Sequence, residues 1–169
     1  MTQLDVQRFD RVVLPHLDDA YTLARYLLRD EHDAQDVVQE AVLRALRYID
    51  GYAGGDSRAW LLSIVRNCAA DWHRRHRNAA PDVDLATIAG DSETDALAIG
   101  RSERRRIARA VEALPVEFRE VIVLREIQEL SYKEISEVVG VPIGTVMSRL
   151  ARARKRLAAQ LGDDAQEAS

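Results

Sequence analysis

The stretch that most constrains this chain is Leu130–Leu161, LSYKEISEVVGVPIGTVMSRLARARKRLAAQL, two helical periods separated by a glycine and a proline. Ser131 followed by Glu134 is a capping-box pair and places a helix start at Tyr132. Ile135, Val138 and Val139 give that helix an apolar stripe, and Gly140 can take the left-handed conformation that ends it. Pro142 lacks an amide N–H and suits the first turn of a second helix running to about Leu161. Val146, Leu150, Ala153 and Leu157 share one face of it, while Ser148, Ala151, Arg152 and Lys155 fall opposite. Between Pro142 and Leu161 stand Arg149, Arg152, Arg154, Lys155 and Arg156, with no carboxylate among them. Like charges at this spacing repel, so a solvated surface helix would interleave them with glutamates. A basic helix docked on a short one across a tight turn instead matches a major groove lined by phosphates.

Sparse aromatics, short β-branched runs and abundant Ala, Leu, Arg and Glu predict an all-α fold, and 47% apolar residues argue against wholesale disorder. The net charge of −4 is unevenly spread. Residues 1–50 carry ten acids against six bases, residues 58–78 five arginines against Asp71, and residues 79–100 five acids and no base. Distribution matters more than the sum for a polyanionic partner. No run reaches the ~20 apolar residues that span a bilayer, and MTQLDVQRFD has no signal-peptide core, so a cytoplasmic protein without membrane insertion is expected. Cys68 is the only cysteine and reads as a small core residue. His16, His32, His73 and His76 form no ligand set, and arginines beside the last two would repel a metal; no metal or cofactor is expected.

The pattern divides into two helical modules. Phe9–Leu28 reads as one long helix broken or kinked at Pro15. Asp33 is a candidate N-cap for a helix over Ala34–Tyr48, and Asp56 or Ser57 for one over Arg58–Arg77, with the glycine loop YIDGYAGGDS between. Residues 79–100 read as an acidic flexible linker that sets reach without reading DNA. A helix from Arg101 to Leu114 and another from Pro115 to about Ile127 lead into the helix-turn-helix. The expected organisation is a domain over 1–78, a linker over 79–100, a domain over 101–162 and an acidic tail over 163–169.

Two further constellations carry chemistry. Asp36, Gln39 and Glu40 share a face of the second helix, opposite Val37, Val38, Ala41 and Ala45; spacing alone favours a solvated surface. Paired carboxylates also raise a helical enzyme, but no nucleophile, phosphate loop or oxyanion donors accompany them, so catalysis is not expected. Tyr48, Tyr52 and Trp60, with glycines and the RRHR helix end, make a toolkit for unstacked bases, although Trp60 and Trp72 are expected to be mostly structural.

The succession DAQDVVQEAVLRALR, GGDSRAWLLSIVRNCAADWHRRHR and ALPVEFREVIVLREIQELSYKEISEVVGVPIGTVMSRLARARKRL resembles the extracytoplasmic-function sigma factors over nearly all of the chain outside linker and tail. The resemblance implies a subunit that binds core RNA polymerase and promoter DNA, with an anti-sigma factor as a further partner. It implies that Asp36, Gln39 and Glu40 dock on the β′ clamp helices. It assigns Tyr52, Asn67, Arg74, Arg75 and Arg77 to the −10 element, with the loop Tyr48–Asp56 capturing a flipped base. It assigns Thr145, Ser148, Arg149, Arg152 and Lys155 to the −35 element. Ala151, outward on the same helix, would give only a methyl touch. The competing reading is a helix-turn-helix regulator that never binds core polymerase. Such a regulator has no need of the acidic face or the glycine-aromatic loop.

Overall fold

A computed structural model describes residues 2–77 and 95–167, and among them there is no β-strand. The first half holds α1 (Gln3–Val12), α2 (Leu17–Leu28), α3 (Glu31–Tyr48) and α4 (Ser57–Arg75). The second holds α5 (Asp95–Glu112), α6 (Val116–Ile122), α7 (Tyr132–Val139) and α8 (Ile143–Glu167).

Local chemistry sets most boundaries. The break expected at Pro15 is present, a 3₁₀ turn at Leu14–His16 that separates α1 from α2, and α1 starts earlier than expected, at a Thr2–Asp5 capping box. The cap of α3 is Asp30 rather than Asp33: its side chain accepts from the Asp33 amide at 2.9 Å. Starting there gains a turn and brings Glu31 and Asp33 to the positive end of the helix dipole. Asp56 caps α4 by accepting from the Ala59 amide at 3.0 Å.

Residues 95–100, expected as linker, are the first turns of α5, in keeping with the helix-forming sequence Ala96–Leu97–Ala98. The expectations for residues 79–94 lie outside the described residues. The helix expected from Pro115 to Ile127 is α6 followed by a π turn over Val123–Ile127, and α8 continues to Glu167 where a tail was expected.

The core is one continuous cluster. Leu23 and Leu27 of α2, Val37, Ala41 and Ala45 of α3, and Leu61, Leu62, Val65 and Cys68 of α4 are all buried, the alanines letting α3 lie close. Phe118, Val121 and Ile122 of α6, Ile135 of α7, and Val146, Leu150 and Ala153 of α8 join the same cluster. Each fully buried Leu or Ile contributes about 1.5–3 kcal/mol. α4 packs on α7, and α6 lies between α2 and α8, so every residue from Phe118 to Leu124 is buried, Arg119 and Glu120 included.

Candidate nucleic-acid interface

The turn of the helix-turn-helix forms as its residues dictate. Ser131 and Glu134 cap α7 reciprocally, Gly140 ends it at φ +77°, and the Ser136 hydroxyl donates to the Val141 carbonyl at 2.5 Å. The Pro142 carbonyl accepts from the Thr145 and Val146 amides and starts α8. With Val146, Leu150 and Ala153 buried, Ser148, Ala151, Arg152 and Lys155 come out exposed on the far side. Thr145 is half-buried at the helix start, where its carbonyl accepts from the Ser148 hydroxyl.

The α8 cations are not equivalent. Arg154 donates to Glu126 at 2.6 and 2.9 Å, and Arg156 lies 4.8 Å from the centre of the Phe118 ring. Arg149 is half-buried and approaches Glu120 at 3.9 Å. Arg152 and Lys155 hold no ion pair among the described residues, so their charges face solvent unneutralised.

In the first half, the glycine loop turns through Gly54 and Gly55 at φ +93° and +96°, a region other residues enter only with strain. The Tyr52 hydroxyl donates to the Gly55 carbonyl at 2.6 Å, and the Tyr52 ring sits 5.0 Å from Trp60. Arg8 of α1 donates to the Tyr52 carbonyl and lies 5.8 Å from its ring. Gly51, Tyr52, Gly54, Trp60 and Ser63 line a cleft of about 280 Å³, which Glu137 of α7 also borders. Trp60 is therefore only partly core: half-buried, it packs inward and also lines this cleft. Trp72 is half-buried and stacks on His76 at 4.2 Å.

Seven-residue spacing puts Trp60, exposed Asn67 and Arg74 on one stripe of α4. Arg74 pairs with Asp71, Arg75 reaches Glu40 at 3.4 Å, and Arg77 is exposed just past the helix. On α3, Asp36 and Gln39 are exposed, with His32 3.8 Å from Asp36. Glu40 is turned inward: it accepts from Arg44 at 2.5 Å, and Arg44 also donates to Asp71 at 3.0 Å. The three residues expected on one open face thus divide into two outward and one engaged with α4.

Sequence reasoning missed Glu137 at the cleft and the residues joining the two halves: Arg58, Arg66, Arg119, Glu120 and Gln128. Their one visible signal is the Arg119–Glu120 pair inside the apolar run VEFREVIVL, a charge placement that needs partners from elsewhere in the fold. Among the described residues, no helix is long and apolar enough to cross a membrane.

Comparison with known proteins gives the same division. Residues 12–79 match the profile of Sigma-70 region 2, and residues 104–157 that of Sigma-70 region 4. The ECF RNA polymerase sigma factor SigE of Mycolicibacterium smegmatis is 34% identical over 159 residues, covering 92% of this chain and 62% of that protein. The ECF RNA polymerase sigma-E factor of Escherichia coli is 33% identical over 137 residues, covering 74% of this chain and 72% of the other. Among solved structures, the sigma factor RpoE of Bartonella quintana, in complex with the anti-sigma factor NepR, superposes with a TM-score of 0.72 at 29% identity, covering 91% of this chain and 96% of that one. CnrH in complex with the cytosolic domain of CnrY gives 0.67 at 29% identity, covering 95% and 96%. The chain belongs to the extracytoplasmic-function family of RNA polymerase sigma factors.

Proposed function

We propose that the chain is a dissociable promoter-specificity subunit, which binds core RNA polymerase, directs it to −35/−10 promoters and helps melt the −10 region. It is not itself an enzyme. In this reading Asp36, Gln39 and Glu40 dock on the β′ clamp helices. Tyr52, Asn67, Arg74, Arg75 and Arg77 handle the −10 element, where trapping an extruded base costs a few kcal/mol of unstacking. Thr145, Ser148, Arg149, Arg152 and Lys155 take the −35 element. The domains are residues 1–78 and 101–162, joined by the acidic segment 79–100. The protein works in the cytoplasm, and an anti-sigma factor is its expected partner, as NepR is for the RpoE of Bartonella quintana.

The observation that carries this reading is that one chain holds three separate surfaces. They are an exposed polar patch at Asp36 and Gln39, an aromatic cleft continuing along Trp60, Asn67 and Arg74, and unneutralised Arg152 and Lys155 on α8. A helix-turn-helix regulator requires only the last. The test is affinity capture of tagged chain with purified core polymerase. Stoichiometric co-elution, lost in Asp36→Lys, supports a sigma factor. A chain that shifts duplex DNA yet never retains core is a regulator instead.

A further inference from the structure

The start of α8 presents two adjacent rows of side chains at four-residue spacing. Gly144, Ser148 and Arg152 form one row, and Ile143, Met147 and Ala151 form an apolar row beside it. All six are exposed, Ile143 at 43% and Met147 at 52%. Apolar side chains scattered singly over a surface need no explanation. Three in register do, on a helix whose buried stripe is already complete in Val146, Leu150 and Ala153. Contact between Ile143 and Met147 steadies the helix only slightly, and a Glu–Lys pair would do the same without exposing carbon to water.

Gly144 poses the same question from the other row. A glycine within a helix is less favourable than an alanine. Nothing stands within 4 Å of where its Cβ would be, so the fold gives no reason for the missing side chain. A partner that approaches the backbone closely at the start of α8 does give one.

The geometry limits what that partner offers. Ile143 to Ala151 spans about 12 Å at 1.5 Å per residue, about the width of a major groove. The first turns of a recognition helix are those that meet base edges. Ser148 and Arg152 can answer hydrogen-bonding groups there. Met147 and Ala151 cannot, so a donor or acceptor pressed against them loses its water without replacement. Among the groups that distinguish base pairs in this groove, one is apolar, the C5-methyl of thymine.

We propose that Met147, flanked by Ala151 and by the bare backbone of Gly144, receives the C5-methyl of one thymine in the −35 element, a sequence-reading contact beside those of Ser148 and Arg152. An unbranched, polarizable side chain suits the task, because it adapts to the methyl without a preformed pocket. The row selects by attraction for the methyl and by exclusion of polar edges. The proposal deepens the −35 assignment made above and rests on it.

The test uses the chain bound to core polymerase and a −35/−10 promoter taken from chain-dependent transcription. Each thymine of the −35 element, on either strand, is replaced in turn by deoxyuridine, which removes the methyl and keeps every hydrogen-bonding group. Burying one methyl is worth about 0.8 kcal/mol, or about fourfold in affinity. One replacement should therefore weaken wild-type binding about fourfold and have no effect in Met147→Ala or Met147→Gln. Gln keeps the length and helix propensity of Met but puts an amide in place of the thioether. Position 147 is exposed, so neither variant disturbs the core. An equal deoxyuridine penalty in wild type and both variants, or no penalty at any thymine in wild type, overturns the assignment. A gain from 5-methylcytosine at a −35 cytosine, with no loss from deoxyuridine, moves the contact to a modified cytosine and overturns it for thymine.

Gly144→Ala adds an independent readout. It should raise the melting temperature and weaken promoter binding, opposite signs that a purely structural glycine would not give. Unchanged or tighter binding removes the close approach on which the thymine contact depends. Failure of the functional reading is distinct: a chain that never retains core loses the promoter role at that step. The same deoxyuridine series, on duplexes selected by the chain alone, still decides Met147.

Discussion

Arg66 of α4 and Arg149 of α8 converge on a single carboxylate, Glu120, at 3.1 and 3.9 Å. Burial raises the pKa of that carboxyl and Arg66, then Arg149, lower it again, so the charge on Glu120 depends on cations from both halves of the chain. The relationship joins α4 and α8, one from each half of the chain. It also divides the α8 cations into those engaged within the fold and those facing outward.

That division sets the first prediction. Arg152 and Lys155 are exposed and unpaired within the described residues, so substituting either leaves the fold intact. Arg can grip a guanine edge with two parallel hydrogen bonds, whereas Lys acts as a point charge on phosphates. Arg152→Ala should cost about 1–3 kcal/mol and relax preference at one or two −35 positions. Lys155→Ala should weaken all promoters alike and lower the salt slope by about one. Titrations of both variants on wild-type and −35-substituted duplexes at several salt concentrations decide; a uniform loss for Arg152→Ala rules it out as a base reader.

On α3 the two carboxylates predict different phenotypes. Asp36 points outward, so Asp36→Lys should abolish core binding with helicity and melting temperature unchanged; interfacial charge pairs are worth about 1–5 kcal/mol when truncated. Glu40 is bonded to Arg44 and Arg75, so Glu40→Lys should also lower the melting temperature by loosening α3 from α4. Melting curves alongside core capture separate these effects. Retention of core by Asp36→Lys would remove that residue from the docking surface.

Acid sensitivity should come from His73. Its Nε2 lies 3.0 Å from the Leu27 carbonyl, which also accepts from Arg119, and burial lowers its pKa below the ordinary 6.5. The unfolded chain therefore takes up a proton near pH 6.5 that the folded chain refuses. This contribution to stability is fully present above about pH 6.5 and is lost as pH falls toward the depressed folded value. A melting-temperature profile from pH 7.5 to 5.5 should fall for wild type. The fall should be shallower in His73→Gln, which keeps a donor but does not titrate; parallel profiles would assign the acid response to another group.

The loop supplies a fourth prediction. Gly55 has φ +96° and nothing within 4 Å of where a Cβ would stand, so Gly55→Ala carries a backbone penalty and no clash. The cost is about 1–2 kcal/mol. The substitution should move Tyr52, whose hydroxyl bonds the Gly55 carbonyl, and thereby reduce −10 melting more than −35 binding. Permanganate footprinting of the −10 strand beside a −35 duplex titration measures both; equal losses would count against a role for the loop in melting.

What was legible in the sequence was local. The Ser131–Glu134 box, Gly140 and the Val146–Leu150–Ala153 stripe act within a few residues, and α7 and α8 formed as expected from them. Cys68 is core, as its helical context indicated. Asp33 was mistaken for a cap because Asp30, three residues earlier, offers the same side-chain chemistry, and only the start of α3 distinguishes them. The partners that Arg119, Glu120 and Gln128 find when buried are carbonyls and side chains some 50–110 positions away in sequence, at Asp19, Tyr26, Leu27 and Arg66. No periodicity encodes such partners. Glu137 carries no signal in the sequence for the same reason, since its place beside the cleft follows from the docking of α7 on α4.

The most direct measurement of the central claim is in vitro transcription by purified core polymerase on a genomic DNA library, with and without the chain. The account predicts discrete transcripts that require the chain, start downstream of a shared −35/−10 pair and disappear with Asp36→Lys. Transcription unchanged by adding the chain, while the chain still binds duplex DNA, would contradict it.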